Sequence, residues 1–174
     1  MSELSDLKAL AGFCHPPLSR RTAVIGVGNR LWSDDGAGPE LLKRLKEEWE
    51  GRETHLDSQG RILFIDAGDS PEDCLIRVID FKPDLVLAID AVDLQAEPGS
   101  IAILQSEAIP EAFCCSTHRL PLRTITQLWE SSGTKTLVLG IQPKDVIFRE
   151  GLSLEVKTSI ESLAQFFSQR FRTE

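Results

Sequence analysis

The chain has 174 residues, 41% of them hydrophobic and 26% charged, which suits one globular domain burying about 70% of its unfolded surface and excludes a disordered or collagen-like polypeptide. Its formal net charge of −8 comes without a Lys/Arg-rich run, which argues against a nucleic-acid surface, and no window offers the ~20 apolar residues of a membrane span. The first twenty residues carry Glu3 and Asp6 and lack a basic start followed by an apolar core, so the sequence predicts no secretory signal and a cytoplasmic location.

In chain order, Leu4, Leu7, Leu10, Ala11 and Cys14 recur at helical spacing and predict a short amphipathic helix, ended by Pro16-Pro17. Thr22-Ala-Val-Ile-Gly-Val-Gly28 reads as a buried strand entering a glycine turn. Residues 36–49 carry the apolar stripe Leu41, Leu42, Leu45 of a helix. A second apolar run, Ile62-Leu-Phe-Ile65, ends in Asp66-Ala67-Gly68. Ser70-Pro71-Glu72-Asp73 has the form of a helix start, with Ser70 as N-cap and Pro71 in the first position. Leu85-Val-Leu-Ala-Ile89 is a third run and ends in Asp90. Residues 101–104 predict a fourth strand, 120–132 a helix and 136–141 a fifth strand. Residues 153–171 predict a closing helix with Val156, Ile160, Leu163 and Phe167 on one side. Apolar strands alternating with helices predict a mostly parallel sheet covered on both faces.

In such sheets, sites form beyond the carboxyl ends of the strands. Asp35 and Asp90 each follow an apolar strand, and His118 stands in Ser116-Thr-His-Arg-Leu-Pro-Leu122, a loop entering a helix. Two carboxylates and an imidazole form a donor set for a divalent transition metal such as nickel, zinc or iron. Asp34 or Asp35 equally suits a cap for the helix that begins near Gly36. The residues alone leave open which of Asp34 and Asp35 caps or orients the turn and which faces the site. Asp93 reads as solvated or turn-forming, Asp66 as a supporting or loop-forming residue, and His15 and His55 as surface residues. Cys14, Cys74, Cys114 and Cys115 form no C-x-x-C pair, and adjacent cysteines rarely meet disulfide geometry, so reduced and mostly buried thiols are expected. Gly26-x-Gly28 is followed at position 31 by Leu, not Gly, which breaks the dinucleotide fingerprint. No G-x-S-x-G elbow is present.

Several ordered motifs resemble those of the hydrogenase maturation peptidases that process [NiFe]-hydrogenase large subunits. They are Gly26-Val-Gly-Asn29, Ser33-Asp-Asp-Gly-Ala-Gly-Pro39, Ile65-Asp-Ala-Gly with Pro71-Glu72, Ile89-Asp-Ala, Pro98-Gly99, Ser116-Thr-His-Arg-Leu-Pro-Leu122 and Leu139-Gly-Ile-Gln-Pro143. The Thr-His-x-x-Pro-Leu and Gly-Ile-Gln-Pro segments are most similar to the branch serving formate-hydrogenlyase-type hydrogenases. Ala67 stands where relatives often carry Gly. The resemblance implies a three-layer αβα fold of the phosphorylase/hydrolase-like kind, with a five-stranded, mostly parallel twisted sheet. Residues 22–174 would form one peptidase domain, and residues 1–21 an N-terminal extension with a short helix.

The same resemblance implies that Asp35, Asp90 and His118 are the metal-binding and catalytic residues. It further implies an endopeptidase that removes a C-terminal propeptide from the large-subunit precursor after nickel insertion. The nickel would be borne by the substrate's cysteines, with no permanent cofactor. Two rival expectations stand beside it: a nickel-binding hydrogenase chaperone that does not cut, and a small-molecule hydrolase with a deep apolar pocket. The oligomeric state is open, with a monomer as the default.

Overall fold

The computed structural model describes residues 21–49, 61–109 and 121–171. All five apolar runs fold as strands, and the amphipathic stretches between them fold as helices. The order is β1 (Thr22–Val27), a 3-10 turn (Ser33–Gly36), α1 (Ala37–Trp49), β2 (Ile62–Gly68), a second 3-10 turn (Pro71–Cys74), α2 (Leu75–Phe81), β3 (Leu85–Ala91), β4 (Ile101–Leu104), a third 3-10 turn (Ser106–Ala108), α3 (Leu122–Ser131), β5 (Lys135–Ile141) and α4 (Leu154–Phe171). The sheet order is β2-β1-β3-β5-β4. The first four of these strands run parallel, and β4 closes the edge antiparallel to β5.

Side chains alternate across the sheet and divide the core in two. Val24, Phe64, Leu87, Ile89 and Leu139 face α1 and α4, where Leu41, Leu42, Leu45, Val156, Ile160, Leu163 and Phe167 cover them. Ala23, Ile25, Leu63, Ile65, Val86, Ala88 and Val138 face α2 and α3, against Val78, Phe81, Ile125 and Trp129. The stripes read from residues 36–49 and 153–171 are therefore core faces, and the three-layer arrangement stands.

Local details differ from the sequence reading. The turn ahead of α1 is 3-10 from Ser33, and regular helix begins at Ala37. Pro71 does open a turn, but Ser70 does not cap it; its hydroxyl bonds the neighbouring Asp69 carboxylate at 3.3 Å. α3 begins at Leu122 because Pro121 occupies the N-cap. The predicted N-terminal helix lies outside the described residues, as do His15, His55, His118, Cys14, Cys114 and Cys115. No helix among the described residues is long and apolar enough to cross a membrane.

Candidate active site

Glycines determine how the Asp35 turn sits on the sheet. Gly28 ends β1 at φ +123°, and a Cβ there would lie 1.9 Å from the Asp35 carbonyl oxygen. A Cβ on Gly38 would lie 2.2 Å from the Ile89 carbonyl oxygen and 2.3 Å from that of Val27. The start of α1 is thus pressed between the ends of β1 and β3, one residue before Asp90. This close approach explains the glycines of Gly26-Val-Gly28 and Gly36-Ala-Gly38 without any nucleotide. Within the turn, the Asn29 carboxamide oxygen accepts from Leu31 N at 2.9 Å, and the Asn29 backbone N–H donates to Asp35 Oδ2 at 2.7 Å.

Asp35 is 1% exposed and Asp90 is 3% exposed. Asp90 is the next-to-last residue of β3, opposite Gly140 of β5. By strand alternation it projects to the same side as Val86 and Ala88, the α2/α3 side. The two acids therefore each stand at the carboxyl edge of neighbouring parallel strands, the edge at which sites form in such sheets.

Asp34 is equally buried, at 0% exposure, but it does not cap its own helix. Its Oδ1 accepts from Ser153 N at 2.6 Å. Its Oδ2 accepts from Lys144 N at 2.8 Å, Asp145 N at 3.4 Å and the Ser153 hydroxyl at 2.8 Å. These donors lie 110 to 119 residues further along the chain, in the segment joining β5 to α4. Ser33 reinforces the junction. Its hydroxyl donates to Asp145 Oδ1 at 2.5 Å and accepts from Arg149 Nη2 at 2.8 Å. Its N–H donates to the Arg149 carbonyl at 2.7 Å, and Ser33 adopts a left-handed φ of +53°. The sequence reading gave no anchoring role to Ser33, Asp145 or Ser153. Their roles depend on pairings across more than 100 residues, which no local pattern carries.

Other acids divide clearly. Asp66 turns away from Asp90, toward the α1 side, and pairs with Arg30 at 2.9 Å while 37% exposed. Asp93 accepts from Gln95 N at 2.9 Å in an exposed turn, as expected. Gln142, within the Gly-Ile-Gln-Pro motif, accepts from Leu94 N at 2.6 Å and from Ala96 N at 3.3 Å, and so fixes the chain just beyond Asp90. Burial pushes the Cys74 thiol pKa up, which keeps it protonated and a poor nucleophile. A cavity of about 340 Å³ borders the Asp35 turn, between Arg30, Leu31, Ser33, Gly36 and Leu152.

Two buried carboxylates at one edge provide oxygen donors for a cation or acceptors for protons. Among the described residues, no three His, Cys, Asp or Glu side chains gather closely enough to hold a metal ion. A complete metal site at this edge therefore needs donors from beyond them.

A family model described as HycI, hydrogenase maturation protease, matches residues 39–169. The hydrogenase 3 maturation protease of Escherichia coli K12 is 34% identical over 143 residues, covering 82% of this chain and 85% of that protein. The crystal structure of a [NiFe] hydrogenase maturation protease from Thermococcus kodakarensis superposes with a TM-score of 0.77 at 28% identity, over 95% of this chain and 99% of that one. The solution structure of the Escherichia coli endopeptidase HycI gives a TM-score of 0.69 at 29% identity, over 83% and 86%.

Proposed function

The chain belongs to the hydrogenase maturation protease family, and from that premise we propose that it removes a C-terminal propeptide from the nickel-loaded large-subunit precursor of a [NiFe] hydrogenase. The observation that carries the reading is the buried pair Asp35 and Asp90, brought to one sheet edge by the Gly38 contact with Ile89 and Val27, in a chain of this family. In this reading the nickel arrives with the substrate, held by precursor cysteines. Asp35, Asp90 and His118 complete its coordination and so test whether the metal has been inserted. Cutting before insertion is prevented because the precursor then lacks the group that these residues grip.

Carboxylate and imidazole donors suit nickel, and thiolates from the precursor supply the softer half of the shell. Once gripped, the ion draws electron density from the scissile carbonyl or fixes the peptide beside the acids. The protein's own contribution is rigid placement. The Asn29 N–H holds Asp35 Oδ2, and Gln142 steadies the chain beyond Asp90.

The test is mass spectrometry of a candidate precursor, incubated with this protein after nickel loading and without it. A shortened product from the nickel-loaded precursor alone is expected. Equal cutting of the nickel-free precursor would sink the metal-sensing role, and an unchanged mass in both would sink the processing role. The isolated protein should also bind nickel weakly, because its donors form part of a shell; tight stoichiometric nickel would argue against a substrate-borne ion.

A further inference from the structure

Carboxylates engaged by a metal ion are poor proton acceptors, yet peptide hydrolysis needs a group to take a proton from the attacking water and return one to the departing amine. Where Asp35 and Asp90 are committed to the ion, as in the reading above, a separate proton carrier leaves them free to hold it. Glu72 has the properties for it. Both of its carboxylate oxygens are buried, and neither has a hydrogen-bond partner among the described residues. Shielding a carboxylate from water without donors costs free energy that packing alone does not return. Native structures keep such groups sparingly, and often where they serve chemistry.

The topology puts Glu72 at the same edge as the acid pair. Strands β2, β1 and β3 are parallel neighbours. Each delivers one buried carboxyl group at or beyond its carboxyl end: Glu72 after β2, Asp35 after β1 and Asp90 next to the last residue of β3. The outer two strands lie about 10 Å apart, two spacings of about 4.8 Å. Glu72 also lies on the correct side of the sheet. Cys74 and Leu75, which follow it, pack on the cluster of Val27, Val92, Leu122 and Ile125, the side to which Asp90 projects. Asp66, on the opposite side, is neutralised by Arg30. Glu72 does not join Asp35 and Asp90 in a group that holds one ion, which separates it from the ligands.

We propose that Glu72 is the proton-transfer residue of the peptide cut, an assignment that rests on the protease reading above. The water gives a proton to the Glu72 carboxylate, directly or through one further water, as its oxygen bonds the scissile carbonyl carbon. The carbon–nitrogen bond then breaks, and the same proton passes to the departing amine. One new carboxylic acid and one new amine result, the acid releases its remaining proton to the amine or to solvent, and Glu72 returns to its starting state. Exclusion of bulk water keeps the proton with the reacting groups.

The experiment uses the full chain and its nickel-loaded precursor, with Glu72→Gln, Glu72→Asp and Glu72→Ala beside the wild type. Single-turnover cutting at saturating protease is measured with the affinity for precursor and the melting temperature. Glu72→Gln should cut about 100-fold more slowly, with affinity and melting temperature unchanged, because glutamine is isosteric and the charge it removes has no hydrogen-bond partner among the described residues. Glu72→Asp should keep part of the rate. Glu72→Ala should be slow but recover with added formate, and not with chloride at equal ionic strength. Wild-type rates in Glu72→Gln overturn the assignment. Loss of fold or of precursor affinity in Glu72→Gln, or a formate-insensitive Glu72→Ala, makes the residue structural and overturns it equally. A wild-type chain that leaves the nickel-loaded precursor uncut removes the protease reading and this one together, and is told apart because the wild-type arm itself is silent.

Discussion

Asp34 and Asp35 are consecutive, equally buried, and held in opposite ways. Asp34 reaches across the fold and collects three backbone N–H groups and a hydroxyl from the segment between β5 and α4. Among the described residues, Asp35 accepts from the N–H of Asn29 six residues earlier, and it lies where α1 presses on β1 and β3. One carboxylate is a structural anchor between distant segments; the other stands at the edge where the parallel strands end. Burial alone therefore does not separate an anchoring acid from one at the strand edge. What distinguishes the two is that Asp34 ties the turn to a segment more than 100 residues away, whereas Asp35 stands at the strand edge.

The sharpest way to break this contrast is to remove each charge in turn. On the proposed nickel-gripping reading, Asp35→Asn and Asp90→Asn should each lower precursor cutting by about 100-fold or more, since a lost ligand would forfeit several kcal/mol of stabilisation at about 1.4 kcal/mol per factor of ten. Their urea midpoints should stay close to wild type. Asp34→Ala should do the reverse in emphasis and lose about 3–5 kcal/mol of stability, because its four donors lose their acceptor at about 1–3 kcal/mol each before water enters. Urea denaturation checks this, and a wild-type midpoint would refute the anchoring role. Ser153→Ala removes one of these bonds and the hydroxyl that accepts from Val156 N at 3.4 Å, and should cost about 1–2 kcal/mol.

The smallest effect concerns the outer end of the same junction. The Lys144 ammonium donates to Glu155 Oε1 at 2.7 Å. This bond holds the Glu155 carboxyl below its ordinary range and Lys144 above its own. The pair's contribution is present at neutral pH. It is lost on acidification as pH falls through the lowered Glu155 value, and on the alkaline side as pH rises through the raised Lys144 value. Both groups are exposed, so the gap in melting temperature between wild type and Lys144→Ala should be small, and should close in acid and in 1 M salt.

Much of this was legible in advance, and the reasons differ from part to part. The strands and long helices were visible because burial imposes a period on the side chains, and Val156, Ile160, Leu163 and Phe167 show it directly, each at 0–1% exposure. Asp90 was legible because it ends an apolar run in a parallel sheet. Ser70 misled because a serine before Pro71 has the form of a cap, whereas its hydroxyl found Asp69 instead. Asp66 follows its strand much as Asp90 does, yet one step of alternation sends it to the opposite side and to Arg30.

By itself the sequence determined the layer architecture, the strand ends and the motifs that mark the family, because these depend on patterns within a few residues. Only the tertiary structure decided that Asp34 is an anchor and that Gly38 brings the Asp35 turn onto Ile89. It alone buried the Glu72 oxygens without a donor among the described residues. Each of those facts depends on which distant backbone groups come within hydrogen-bonding or van der Waals distance. That is settled only when β1, β2 and β3 pair and the segment ahead of α4 closes over the turn.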